Sequence, residues 1–172
     1  MKRVCIFGEF EPAFMTLAPC AHRFLSIQSS RNAERFVGQE LEGALSLVHA
    51  AGVNARGAHL IVSVFSNAEE MLAAYFAFDG ICDNAVPGAL LVDASGVTVD
   101  IAKRAIVIAR KRGFDLACFA SLESLIASRC QPENGCVIPT SAVGKRVDGA
   151  VAELIGAGII GSAGNVATVS CS

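Results

Sequence analysis

The chain has 172 residues, of which 53% are apolar and 17% are charged, and its formal net charge is -2. This composition excludes a disordered chain and is sufficient for one domain with a hydrophobic core, which we place at residues 1–172. The sequence lacks the excess of basic residues that a phosphate backbone attracts, so we expect no nucleic-acid partner.

The first residues and the cysteines indicate a reducing compartment. The apolar run that begins the chain is too short for a secretory signal, and no small-residue cleavage site follows it. The seven cysteines contain no CxxC pair and several lie within apolar runs, which is typical of buried, reduced thiols. Glycines and polar residues interrupt the uncharged segment 154–172, so we expect a cytoplasmic or similarly reducing location and no membrane span.

In chain order, the hydrophobic patterns of the first half are short, and some of them fit more than one kind of element. Buried strands are predicted at 3–7, ending at Gly8, and at 24–28. Residues 14–21 fit a helix that prolines interrupt, and residues 33–51 fit either a helix or a strand at 45–48.

Residues 59–119 carry the clearest pattern. Strands at 59–65, 89–94 and 114–119 alternate with helices at 67–78 and 99–112. Asn67 and Glu70 have the spacing of a capping box, and Thr98 is the predicted cap of the second helix. Because the strands are continuous apolar runs, they indicate a parallel sheet that is covered on both faces.

The remaining elements extend the same architecture. A short helix at 121–128, a strand at 136–141, a helix at 143–155 and edge strands at 159–160 and 166–169 are predicted. Pro139 favours an edge position for the strand that contains it. We therefore predict a Rossmann-like, doubly wound α/β fold, with a mainly parallel sheet, helices on both faces and an antiparallel edge strand toward the C-terminus.

The segment from His59 to Phe119 resembles the nucleotide-binding domain of the β-hydroxyacid dehydrogenase family, which includes relatives of 3-hydroxyisobutyrate and 6-phosphogluconate dehydrogenases. The similarity depends on a set of short matches: Gly80-Ile81, Pro87-Gly88, Val92-Asp93 and Ser95. The resemblance implies an NAD(P)-dependent oxidoreductase fold.

The phosphate-binding loop departs from the family pattern. After the first strand, a dinucleotide-binding domain needs the glycines of G-x-G-x-x-G, which let the backbone approach the diphosphate. This chain keeps only Gly8 and continues with Glu9, Phe10 and Glu11. The ring adds bulk and the carboxylates add negative charge, so we expect no bound cofactor.

The resemblance nevertheless places candidate cofactor-binding residues at Gly8, Ser29, Ser30, Arg31 and Ser66. Where the family's NAD enzymes have an acidic residue for the ribose hydroxyl, this chain has Ser29-Ser30-Arg31, which favours the 2′-phosphate of NADP over NAD if a nucleotide binds. A solvated loop is the alternative interpretation of the same residues.

On the substrate side, the resemblance points to Ser95 and Ser121, although Ser121 also fits a helix cap. Ala167 stands where the family has its catalytic lysine, and the family's helical second domain is missing, so no catalytic residue is assigned. No cysteine or histidine spacing predicts a metal site.

Three functional hypotheses follow. The first is a degenerate, non-catalytic Rossmann domain, a pseudoenzyme that serves as a structural or interaction subunit, with a protein partner or self-association through the apolar face that the missing domain leaves. The second is an NADP-dependent oxidoreductase component whose catalytic half is another chain. The third is a binding module for another ligand in the same crevice, with Ser95 or Ser121 as polar contacts.

Overall fold

A parallel sheet of five strands forms the centre of the structure, a computed structural model that describes residues 4–8, 25–28, 55–127 and 136–156. The strands are β1 (Val4–Gly8), β2 (Leu25–Gln28), β3 (Leu60–Val64), β4 (Leu90–Asp93) and β5 (Asp115–Cys118). Their order is β2-β1-β3-β4-β5, and every pairing within this order is parallel. The predicted mainly parallel sheet is therefore confirmed.

The described helices are α1 (Ala68–Phe76), α2 (Ile81–Asn84), α3 (Val99–Lys111), α4 (Leu122–Ala127) and α5 (Ser141–Gly156). Four of them correspond to predicted helices. The exception is α2, whose single turn is too short to show a hydrophobic period. The elements predicted at 14–21, 33–51, 159–160 and 166–169 lie outside the described residues.

Helices cover both faces of the sheet, as predicted for a doubly wound fold. Ile61 and Leu91 belong to a core that includes α1, α2 and α3. Val62 and Val92 belong to a second core that includes α4 and α5. The alternation follows from the strand geometry, since successive side chains point to opposite faces.

Both predicted helix caps occupy the expected positions, but only the first makes the expected side-chain hydrogen bond. The Asn67 side chain accepts a hydrogen bond from Glu70 N at 2.8 Å, as the capping box requires. The Glu70 carboxylate accepts from Ser66 N at 3.1 Å. Thr98 occupies the cap position of α3, but its side chain makes no capping hydrogen bond, so this prediction is confirmed for position only.

Two arginines join elements near the amino edge of the sheet, where the strands begin. Arg112, the C-cap residue of α3, forms an ion pair with Asp83 of α2 at 3.4 Å and donates to Phe76 O of α1 at 3.1 Å. Its guanidinium lies 5.7 Å from the centroid of the Phe76 ring. Arg146 of α5 forms an ion pair with Asp115 at the start of β5. Arg112 thus joins the end of α3 to α1 and α2, and Arg146 joins the beginning of α5 to the start of β5.

The strand predicted at 136–141 is shorter than expected. Val137 forms an isolated antiparallel bridge with Cys118, with backbone N···O distances of 3.0 and 2.7 Å. The pairing cannot continue through Pro139, which has no N–H, and α5 begins at Ser141. The predicted edge position is thus confirmed, since Val137 pairs with the outermost strand β5, while the predicted length is wrong.

The described cysteines are thiols, and Cys5, Cys82 and Cys118 are buried. Burial raises the pKa of Cys82 to about 11. The prediction of mostly buried thiols is confirmed for this part of the chain. Among the described helices, none has the length and apolar character needed to span a membrane.

Candidate functional site

The carboxyl edge of the sheet, where the strands end, contains the point at which the strand order reverses. β1 is flanked by β2 and β3, and Gly8 at its end is in register with Val64 at the end of β3. Ligands of open α/β sheets bind outside the carboxyl ends of the strands at such a switch point. We therefore take this edge as the candidate site; two predicted cofactor residues, Gly8 and Ser66, lie on it.

A buried polar row lies beneath this edge, on the face that α1 to α3 cover. Ser63 is in register with Asp93, and both side chains are fully buried. The Ser63 hydroxyl donates to Asp93 Oδ1 at 2.8 Å. The Tyr75 hydroxyl, which extends from α1, lies 2.7 Å from Ser63 Oγ. Because Ser63 has one proton and gives it to Asp93, Tyr75 is the donor to Ser63.

Ser95 connects this polar row to the loops above it. Its hydroxyl donates to Asp93 Oδ1 at 2.6 Å and accepts a hydrogen bond from Phe65 N at 2.8 Å. Its backbone N–H donates to Asp93 Oδ2 at 3.2 Å. One carboxylate thus accepts three hydrogen bonds, and Ser95 holds the loops that follow β3 and β4 together.

The titration of these groups reflects their burial. Burial raises the pKa of Asp93 above its usual range, and the hydrogen bonds from Ser95 and Ser63 offset only part of this effect. Burial and the nearby Asp93 carboxylate both raise the pKa of Tyr75, so its hydroxyl stays protonated and remains a donor. The same two causes raise the pKa of Cys118, which makes this thiol a poor nucleophile and agrees with the predicted buried thiol.

The loops that follow β4 and β5 are in backbone contact. Gly96 N donates to Phe119 O at 3.2 Å, and Phe119 N donates to Asp93 O at 2.7 Å. Gly96 has a φ of 68°, and a Cβ at this position would lie 2.7 Å from Ala120 O. Only glycine satisfies both the positive φ and the close approach. The edge between β4 and β5 is therefore closed by main chain.

Both predicted substrate-contacting hydroxyls have partners within the chain. Ser95 is bonded as described above. Ser121 Oγ accepts from Ser124 N at 3.1 Å, and Ser121 N donates to Ser124 Oγ at 2.9 Å, so Ser121 caps α4. The alternative interpretation of Ser121 as a helix cap is confirmed, while substrate contact by either serine stays a prediction.

The structure describes only two of the five predicted cofactor-binding residues. Gly8 ends β1, and Ser66 is exposed directly before α1. The other predicted cofactor residues, Ser29, Ser30 and Arg31, lie outside the described residues, as do residues 9–12. All five remain predictions.

Acidic side chains are common where helices begin at the carboxyl edge. Glu69 and Glu70 lie in the first turn of α1, Asp100 in that of α3 and Glu123 in that of α4. Carboxylates at a helix N-terminus stabilise the helix, but they also repel anionic ligands such as phosphates. In the part of the chain that the structure describes, no cluster of three or more His, Cys, Asp or Glu side chains could hold a metal ion.

The sequence analysis missed two members of the buried network, Ser63 and Tyr75. A signal for both was present, since Ser63 is the polar residue within the apolar strand LIVSV and Tyr75 is the single tyrosine of the chain. Their contact joins a strand to a helix twelve residues later, and periodicity does not report such a pairing.

Comparison with solved structures identifies proteins of similar fold. A 3-hydroxyisobutyrate dehydrogenase from Mycobacterium tuberculosis, with L-serine, aligns with a TM-score of 0.53 and 16% identity, over 69% of this chain and 40% of that protein. An imine reductase variant from Myxococcus stipitatus in complex with NAD+ aligns with a TM-score of 0.60 and 12% identity, over 88% of this chain and 51% of that protein.

The Myxococcus stipitatus imine reductase in complex with NADP+ aligns with a TM-score of 0.53 and 14% identity, over 67% of this chain and 39% of that protein. The chain thus spans about 40% to 50% of the length of these structures. No protein-family model matches the chain, and no curated protein matches it significantly. The predicted resemblance to the NAD(P)-binding domain of β-hydroxyacid dehydrogenases is therefore confirmed at the level of the fold, a Rossmann-like α/β domain.

Proposed function

We propose that this chain is a Rossmann-like domain without catalytic activity, which acts as a structural or interaction subunit. The observation that carries the proposal is that polar groups at the carboxyl edge already form hydrogen bonds within the fold. Ser95 and Ser121, the hydroxyls expected to contact a substrate, are bonded to the fold itself. The hydrogen bond from Gly96 N to Phe119 O joins the adjoining loops.

The charges at this edge support the same proposal. Three helices begin there with exposed acidic residues, and the sequence that follows β1 contains Glu9, Phe10 and Glu11. A dinucleotide diphosphate gains binding energy from bare backbone N–H groups and positive charge, whereas this sequence supplies carboxylates and a bulky ring. We therefore propose that NAD and NADP do not bind at physiological concentration.

A second candidate is an NADP-dependent oxidoreductase component whose catalytic half is a different chain. It is favoured by the switch point between β1 and β3, and by neighbours of the same fold that are complexes with NAD+ or NADP+. Under this proposal Gly8, Ser66 and the segment Ser29-Ser30-Arg31 would contact the cofactor.

Thermal unfolding with added nucleotide separates the two. A ligand present at about 100 times its Kd stabilises the folded state by about 2.7 kcal/mol, which shifts the midpoint by several degrees. We expect no shift in Tm with millimolar NADPH or NADH, for the wild type and for the Arg31→Ala variant alike. A shift with NADPH that Arg31→Ala abolishes would establish the second candidate and refute the first.

A further inference from the structure

The described charges are divided between the two edges of the sheet. The amino edge, where strands begin and α1, α2 and α3 end, has six basic and three acidic residues and a net charge of +3. These residues are Arg56, Arg110, Lys111, Arg112, Lys145 and Arg146, with Asp79, Asp83 and Asp115. The carboxyl edge has four acidic residues in the first turns of its helices, at Glu69, Glu70, Asp100 and Glu123, and two basic residues one turn further along α3, Lys103 and Arg104, so these six residues have a net charge of -2.

Part of the positive charge at the amino edge is unpaired. Two of the basic residues, Arg112 and Arg146, form ion pairs with Asp83 and Asp115. The others are exposed and form no ion pair within the described part of the chain: Arg56, Arg110, Lys111 and Lys145. An anionic surface can therefore approach this edge without displacing an internal partner.

A fully exposed aromatic ring lies on the same edge. Phe78, in the turn between α1 and α2, has 99% of its surface accessible. The turn around it is fixed by hydrogen bonds, because Asn84 Nδ2 donates to Asp79 Oδ1 at 2.9 Å and Asp79 N donates to Asp83 Oδ2 at 3.0 Å. Gly80 permits no side chain, since a Cβ would lie 2.8 Å from Ala77 O. A rigid turn that presents an aromatic ring is typical of an interface anchor.

We propose that the amino edge, with Phe78 as its apolar anchor, is an interaction surface for the carboxyl edge of a second copy of this chain. The inference rests on the proposed role as an interaction subunit. It is supported by charge complementarity, since each copy carries a basic and an acidic edge, while pairing of like edges would bring like charges together. Contacts of this head-to-tail kind build rings or open chains of copies.

A nucleic acid is a poorer occupant of the basic edge. The whole chain has a net charge of -2, and acidic residues lie beside the basic ones at this edge. A phosphate backbone gains affinity from neutralisation by many cations along its path, and an exposed ring such as Phe78 adds nothing to binding of a duplex backbone.

A charge-swap experiment tests the contact on the full chain. Mass is measured by sedimentation and light scattering over a range of protein and salt concentrations. We expect Arg110→Glu with Lys111→Glu, and separately Glu69→Lys with Glu123→Lys, to abolish self-association. An equimolar mixture of the two variants is expected to restore it, because each reversed edge then meets a surface of opposite charge. Higher salt weakens the wild-type contact.

The anchor is tested by substitution of the exposed ring. Phe78→Ser is expected to weaken self-association by about tenfold or more, as for a central interface residue. Val107→Ser, which replaces an exposed apolar residue in the middle of the outer face of α3, serves as the matched control and is expected to change nothing. Circular dichroism and thermal unfolding establish that each variant is folded.

Three outcomes would overturn the inference: a wild-type monomer at every concentration, reversed-edge variants that associate as the wild type does, or a mixture that stays monomeric. None of these refutes the proposed non-catalytic role, which is tested with nucleotides. Conversely, stabilisation by NADPH would refute that role and leave the charge-swap result standing.

Discussion

The two faces of the sheet are packed with different kinds of side chain. The face that α1 to α3 cover contains the buried polar residues Ser63 and Asp93, and the Tyr75 hydroxyl completes their network. The core under α4 and α5 consists of apolar side chains, among them Leu125, Val147 and Leu154. Apolar burial is non-directional, whereas hydrogen bonds define which atoms meet. The polar face therefore fixes the loops at the carboxyl edge, whereas the apolar face stabilises the fold through hydrophobic burial without directional contacts.

The largest expected effect comes from removal of the central acceptor on the polar face. Asp93→Ala leaves the Ser63 hydroxyl and two donors of Ser95 without their acceptor. We expect the free energy of unfolding to fall by about 4 kcal/mol, measured by urea denaturation. Asp148→Ala, at an exposed position of α5, is the control and should stay within about 0.5 kcal/mol of the wild type.

On the apolar face, the corresponding deletion is Leu125→Ala. Leu125 is fully buried, so its truncation removes transfer energy and leaves a cavity. We expect a loss of about 3 kcal/mol in urea denaturation, with the slope against urea unchanged. A loss close to zero would mean that α4 is not part of the cooperative core.

A smaller effect is expected at the end of the hydrogen-bond chain. Tyr75→Phe preserves the ring, including its edge contact with Phe65 at 6.2 Å between centroids, and removes only the donor to Ser63. Ser63 keeps its own donor bond to Asp93, so no buried donor is left unpaired. We expect a loss of about 1 kcal/mol. A loss as large as that of Asp93→Ala would contradict the order of donors assigned here.

The smallest effect is a difference in pH dependence between the faces. Because burial raises the pKa of Asp93 in the folded state, the folded chain binds this proton more tightly than the unfolded chain does. The stability that this group contributes is present below the ordinary carboxyl pKa of about 3.9 and is lost as pH rises through the higher folded pKa.

Urea denaturation at several pH values checks this sign. The wild type should lose stability relative to Asp93→Asn as pH rises through that window, and Leu125→Ala should follow the wild-type curve. Parallel curves for the wild type and Asp93→Asn would show that the three hydrogen bonds to Asp93 fully offset its burial.

Except for α2, the strands and helices of residues 59–127 were predictable because each has its own local signal. Continuous apolar runs marked β3, β4 and β5, and Asn67 with Glu70 marked the start of α1. Two predictions were only partly correct. The strand at 136–141 became a single bridge because Pro139 interrupts the pairing, and Thr98 holds a cap position without a capping bond.

The location of the candidate site was predictable from the sequence, but the hydrogen bonds between its residues were not. The resemblance pointed to Ser95, and the structure places Ser95 on the carboxyl edge. That its hydroxyl binds Asp93 and Phe65 N could not be deduced, because these atoms belong to two strands and a loop that the sheet register brings together.

The sequence by itself determined the fold class, since hydrophobic runs, caps and turn residues act over a few neighbouring positions. Only the tertiary structure decided which polar groups meet and which edge carries which charge. Ser63, Tyr75 and Asp93 are distant in the chain, and they became one network because parallel pairing and helix packing place them within hydrogen-bond reach. Directional contacts over such separations depend on three-dimensional geometry, which a one-dimensional pattern of residue types does not encode.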